Sequence, residues 1–182
     1  MYKLLFLLLS GCMTSEVLYV DSRFTPTEVV DIQAASDEWY RATGQHVDLA
    51  FGSSLAHDRV MIRVESEAEL TDEERSMYDG NPCYPGHGGT AALTKIYDGP
   101  FGVTGERLTV LMSCTSPEFF RRLVMHEFGH HLGLTHMHSS DPRALMYYDG
   151  INAECVTYYD AVLWCTRWKC DPETINYCGE NL

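Results

Sequence analysis

An α+β fold is predicted from three observations. The first third of the chain reads strand, helix, strand, strand, with short apolar runs flanking one long amphipathic stretch. Two further strand-like runs follow, separated by a segment that opens on Gly99-Pro100. Two helical stretches then close the chain, the first of which carries a group of histidines. A chain of 182 residues suits one domain with enough apolar content to bury a core.

The elements follow in order. Glu16 to Asp21 is apolar and β-branched enough for a first strand. Thr25-Pro26-Thr27-Glu28 starts a helix, with Thr25 as N-cap, Pro26 in the first turn and Glu28 reaching back. Val29, Ile32, Ala35 and Trp39 make one apolar stripe, and Gly44 stops the helix. Val47 to Phe51 and Arg59 to Val64 are the next two strands. Residues 65–90 read as a long loop, acidic from Glu65 to Glu74, where Thr71-Asp72-Glu73-Glu74 can cap a short helix. Gly80 to Thr90 is turn chemistry throughout. Three Tyr-Asp-Gly triplets, led by Tyr78, Tyr97 and Tyr148, read as turns rather than as a repeat. Ala91 to Asp98 and Arg107 to Met112 are the last two strands. Ser116-Pro117 supplies an N-cap and a first-turn proline, and Phe119, Phe120, Leu123 and Val124 form the buried face of the helix that follows. Val156 to Trp168, with Tyr159, Val162, Leu163 and Trp164, is the C-terminal helix, and a cysteine-rich tail ends the chain.

The chemistry concentrates in His126-Glu127-Phe128-Gly129-His130-His131-Leu132-Gly133-Leu134-Thr135-His136, which holds H-E-x-x-H-x-x-G-x-x-H. Histidines four apart on a helix leave the same face, one turn above the other. Both can then reach one Zn²⁺ at about 2.0–2.1 Å. Gly133 can leave the helix with positive φ and return His136 as a third ligand. Three histidines leave a fourth position for water, which is the catalytic zinc arrangement. Glu127 is placed to take that water's proton. His131 and His138 do not fit the ligand spacing and are expected beside the site or in solvent.

This pattern resembles the metzincin clan of zinc endopeptidases, whose second mark is a methionine turn, here Ala144-Leu145-Met146-Tyr147. The wording H-E-F-G-H-x-L-G-L-x-H, followed by Pro142-Arg143-Ala144-Leu145-Met146-Tyr147, is most similar to the matrixins (the matrix metalloproteinase family). The resemblance implies a twisted, mostly parallel five-stranded sheet with an antiparallel edge strand, two long helices, and a small C-terminal subdomain with a helix. It implies one catalytic zinc on His126, His130 and His136, Glu127 as general base, and Met146 as an apolar floor rather than a ligand. It also implies a protein or peptide substrate laid along edge strand 91–98, because an unpaired edge offers peptide groups at regular spacing. Calcium is left open. The family's second, structural zinc is not expected, since His87 is the one visible donor in its segment. Tyr148, two residues past Met146, has two readings. It donates to the oxyanion of the tetrahedral intermediate, as a tyrosine does in some metzincins, or it packs in the pocket wall.

Residues 1–12 carry one basic residue and an apolar run from Leu4 to Leu9, too short to span a membrane. Their ending, Leu9-Ser10-Gly11-Cys12, resembles a bacterial lipobox, which implies a lipidated Cys12 and residues 13–182 as one catalytic domain. The expected product is exported and lipid-anchored to a bacterial membrane, facing the periplasm or the cell exterior, as a monomer. No zinc-blocking pro-segment is expected, because the catalytic fold is read as starting directly after Cys12. Seven cysteines minus Cys12 leave six for three bridges. In an antiparallel hairpin of 91–98 and 107–112, Cys83 and Cys114 come close and are expected to pair. Cys155 and Cys165 should lie about 15 Å apart along one helix, which favours Cys155–Cys178 with Cys165–Cys170. A net charge of -13 argues against nucleic acid or an anionic membrane surface as a partner. Two other functions share this scaffold, a silent zinc-containing binding lipoprotein and a cell-wall peptide hydrolase. The presence of Glu127 argues against the first, and the absence of a wall-binding module argues against the second.

Overall fold

The computed structural model describes residues 17–53, 57–77, 91–99, 102–136, 142–147 and 153–178. Cys12, Cys83, His87, His138 and Tyr148, with the expectations attached to them, lie outside the described residues.

Five strands form one sheet: β1 (Leu18–Asp21), β2 (Leu49–Ser53), β3 (Arg59–Val64), β4 (Ala92–Gly99) and β5 (Gly102–Leu111). Their order is β2-β1-β3-β5-β4. The β1/β2, β1/β3 and β3/β5 pairs are parallel, and only β4/β5 is antiparallel. The sheet is therefore mostly parallel with β4 as its antiparallel edge, as the sequence implied. Helix α1 (Pro26–Thr43) connects β1 to β2, and α3 (Pro117–His131) follows β5. A short helix, α2 (Asp72–Met77), and the C-terminal helix, α4 (Tyr158–Trp168), complete the molecule.

Helix α1 begins as the sequence reads. Thr25 Oγ1 accepts from the Glu28 N–H at 3.3 Å, and Glu28 Oε2 accepts from the Thr25 N–H at 2.7 Å. Its stripe of Ile32, Ala35 and Trp39 is buried against Leu18 and Val20 of β1, Met61 of β3, Leu108 and Val110 of β5, and Phe120, Val124 and Phe128 of α3. Strand alternation sends Val60, Ile62 and Val64 to the opposite face, where Leu70 and Leu111 complete a smaller cluster. Both faces of β3 are thus covered, which suits a strand in the middle of a parallel sheet.

Several boundaries differ from the sequence reading. The first strand starts at Leu18 and the second at Leu49, two residues inside their expected ends. Strand β5 begins at Gly102 instead of Arg107, because its antiparallel ladder with β4 runs back to the Gly99–Gly102 pair. The Tyr97-Asp98-Gly99 triplet is consequently strand rather than turn, with a register shift between Tyr97 and Asp98. A 3₁₀ turn over Glu67–Glu69 was also not expected.

The C-terminal segment is tied to the body at several points. Cys155–Cys178 and Cys165–Cys170 are disulfides, with Cα separations of 6.2 and 4.5 Å. Cys114 is also disulfide-bonded. Glu38 of α1 accepts the Val156 N–H at 2.9 Å, and the Asn176 N–H donates to the Ala42 carbonyl at 3.0 Å. No helix among the described residues is long and apolar enough to cross a membrane.

Candidate metal centre

Helix α3 carries the histidines to the centre of the molecule. Ser116 Oγ accepts the Phe119 N–H at 3.3 Å, and Pro117 occupies the first turn. The face made by Phe120, Leu123, Val124 and Phe128 is buried, so the helix is locked in rotation, with His126 and Glu127 turned inward at 5% and 4% exposure. Trp39 of α1 donates from Nε1 to the Met125 carbonyl at 2.8 Å, which fixes the helix along its axis as well.

The helix ends one residue after the second histidine of the motif. Leu132, Gly133 and Leu134 donate their N–H groups to the carbonyls of Phe128, His130 and Gly129 at 2.9, 2.8 and 2.9 Å. Gly133 takes φ of +86°, and a β-carbon there would lie 2.6 Å from Arg167 Nε. The backbone angle therefore favours glycine, while the exposed guanidinium would have to move aside for any side chain there. The turn returns His136 to the helix. His126 Nε2 and His130 Nε2 each lie 3.1 Å from His136 Nε2. That spacing is close to the edge of about 3.3 Å expected for a tetrahedron with zinc–nitrogen arms of about 2.0–2.1 Å.

The other ring nitrogens decide which tautomer is present. His126 Nδ1 lies 2.6 Å from the Leu145 carbonyl, and His130 Nδ1 lies 2.9 Å from the Leu134 carbonyl. A carbonyl can only accept, so each Nδ1 carries a proton, which leaves Nε2 as the nitrogen each ring turns toward its neighbours. Burial, then the neighbouring His130, pushes the His126 pKa down to about 3, against the Leu145 carbonyl and with His136. The ring is therefore neutral at physiological pH. Two lone pairs converging on a third imidazole suit a cation, and the carbonyls behind them orient the rings as metal-binding histidines require. His126, His130 and His136 form a group that can hold a metal, buried at His126 and open to solvent at His136.

Glu127 sits beside His126 on the same turn of α3. Its Oε2 accepts from Thr94 Oγ1 of β4 at 2.6 Å. Burial raises its pKa, opposed by the nearby His130 and by the Thr94 hydrogen bond. His131 stands apart from the three. Its Nδ1 lies 2.6 Å from Glu106 Oε2, which also accepts from Arg59 at 3.3 Å.

Below the helix, Ala144, Leu145 and Met146 are fully buried. Asp160, near the start of α4, holds this turn by accepting the N–H groups of Leu145 and Met146 at 3.0 and 2.9 Å. It also accepts from the Thr157 N–H and hydroxyl at 2.9 and 2.7 Å. Sequence reading missed Asp160, Thr94 and Glu106. Thr157-x-x-Asp160 is a helix-start pattern that could have drawn notice to Asp160. Thr94 and Glu106 carry no local signal, because their partners are set by strand register and by packing.

No curated protein matches the chain. The family model described as Matrixin matches residues 23–154, a span that begins just after β1, includes strands β2 to β5, the three histidines and the methionine turn, and stops short of α4. With that match over most of its length, and with a histidine group suited to the family's catalytic zinc, the chain belongs to the matrixins, a family of zinc metalloendopeptidases.

Proposed function

We propose that the protein hydrolyses internal peptide bonds, with zinc held by His126, His130 and His136 and with Glu127 as general base. The observation that carries this reading is the convergence of the Nε2 lone pairs of His126 and His130 on His136. Bound there, zinc supplies a Lewis acid that polarises the scissile carbonyl and acidifies a water. Glu127 takes the proton from that water and passes it to the leaving amine. The substrate lies extended along β4, whose position at the sheet edge supports addition of one more strand. Tethering through a lipidated Cys12, outside the cytoplasm, completes the proposal.

The test uses the zinc-loaded full chain and an unstructured protein substrate. Glu127→Ala is expected to abolish cleavage while leaving zinc content equal to that of the wild type, because Glu127 is a base and not a ligand. Replacing His126, His130 or His136 is expected to lower zinc content instead. Substantial cleavage by the Glu127→Ala protein would refute the mechanism.

A further inference from the structure

The geometry points to Thr94 as a positioning residue for peptide hydrolysis, one that holds the Glu127 carboxylate through its hydroxyl so that the second oxygen is presented to the water. The inference rests on the proposed peptidase reading and goes beyond it, because it places part of the machinery on the edge strand.

Thr94 pairs with Leu108 across the antiparallel β4/β5 ladder, and Leu108 belongs to the main core beneath the helices. Residues directly opposite in such a pair share a face, and alternation gives Ala92 the same side. Leu93 packs instead against the smaller cluster on the far face, and Lys95 pairs with Glu73 of α2. Thr94 therefore shares with Ala92 the face of β4 that meets the main core, and it brings a hydroxyl to that face. Its hydroxyl meets Glu127 Oε2 at 2.6 Å, a short contact of the kind made by a hydroxyl with a charged carboxylate. Among the described residues Thr94 is the one hydrogen-bonding partner of the Glu127 carboxylate.

A glutamate has three side-chain torsions, and the last is broad. Packing around Glu127 restrains the stem, but only a directional bond fixes the plane of the carboxylate. With Oε2 engaged by Thr94, Oε1 is the oxygen left to accept the proton. A β-branched threonine in a strand has restricted χ1, so the hydroxyl is itself held in place. Because Thr94 also sits in the strand proposed to bind substrate, the base and the peptide share one support.

The experiment compares Thr94→Val, which keeps shape and branching, with Thr94→Ser, which keeps the hydroxyl. Steady-state kinetics of the zinc-loaded full chain on a peptide substrate should show kcat of T94V down by about tenfold to a hundredfold, with KM within about twofold of the wild type. T94S should recover most of that loss. Crystal structures of the same variants give a second readout. The Glu127 carboxylate should leave its position in T94V and keep it in T94S. A kcat for T94V within about threefold of wild type, or a T94S loss as deep as that of T94V, overturns the positioning role. E127A, run alongside, separates the two readings. An inactive E127A beside an unimpaired T94V overturns the role of Thr94 alone, whereas a fully active E127A overturns the peptidase reading and this inference with it.

Discussion

Gly129 stands one residue before His130, at the point where α3 crosses both α1 and the methionine turn. A β-carbon there would overlap Met146 Sδ and lie 3.1 Å from Trp39 Cζ2. Neither neighbour has room to retreat, since Trp39 and Met146 are both fully buried. Gly129→Ala is therefore expected to destabilise the fold by about 1–3 kcal/mol through overpacking, even though alanine is the better helix former. Urea unfolding measures this, and an unchanged or raised midpoint would show that Met146 gives way freely. The metal-site histidines were legible because a helix fixes the geometry of residues four apart and Gly133 signals the return of the chain. Thr94 was not legible, since its value depends on β4 register against β5 and on which face of the sheet α3 covers. Glu106 of β5 likewise acquires His131 and Arg59 as partners from two other elements, α3 and β3.

At the scale of elements, α2 shows how an acidic loop segment is docked on the sheet. Thr71 and Glu74 cap it reciprocally, the Thr71 N–H donating to Glu74 at 2.8 Å and the Glu74 N–H to Thr71 at 3.1 Å. That cap was readable in the sequence. The anchor was not, because Glu74 also accepts from Arg107 at 2.7 Å and from Thr109 at 2.5 Å, both on β5. Burial acts to raise the Glu74 pKa, but the bonds from Arg107, Thr109 and Thr71 outweigh it and bring the pKa to about 2, below its ordinary 4.5. The unfolded chain therefore takes up this proton at a higher pH than the folded chain. The stabilisation is complete above about pH 4.5 and is lost as pH falls toward about 2. Glu74→Gln should cost about 1–3 kcal/mol near neutral pH, since a charged acceptor becomes a weaker one. It should also flatten the loss of stability across that acidic window. Denaturation curves of both proteins from pH 2 to pH 7 test this, and parallel pH profiles would rule out Glu74 as a contributor. The start of β5 was misplaced for a related reason. Gly102 to Gly105 joins the strand through backbone pairing with β4, not through any apolar pattern.

At the scale of the whole molecule, the metal centre depends on a chain of contacts that begins beyond the span matched to the family. Asp160 on α4 is fully buried and accepts from Leu145 and Met146. The Leu145 carbonyl accepts from His126 Nδ1, and that bond sets which nitrogen His126 offers to a metal. Burial raises the Asp160 pKa, while four donors from Met146, Thr157 and Leu145 favour the charged form. Strand order and this long connection were not readable locally, because both are decided by which elements pack together. Asp160→Asn retains size and one acceptor but sets an amide NH₂ against backbone N–H groups. It is expected to destabilise the fold by about 1–3 kcal/mol. It is also expected to weaken zinc binding by about tenfold to a hundredfold, although Asp160 touches none of the three histidines. Asp171→Asn, an exposed cap of the 172–174 turn, is the control and should leave both quantities unchanged. Zinc affinity from competition with a chelator, measured below the unfolding midpoint of each variant, separates the two effects. Wild-type zinc affinity in Asp160→Asn would mean that the methionine turn holds its shape without α4, and that His126 is oriented by α3 alone.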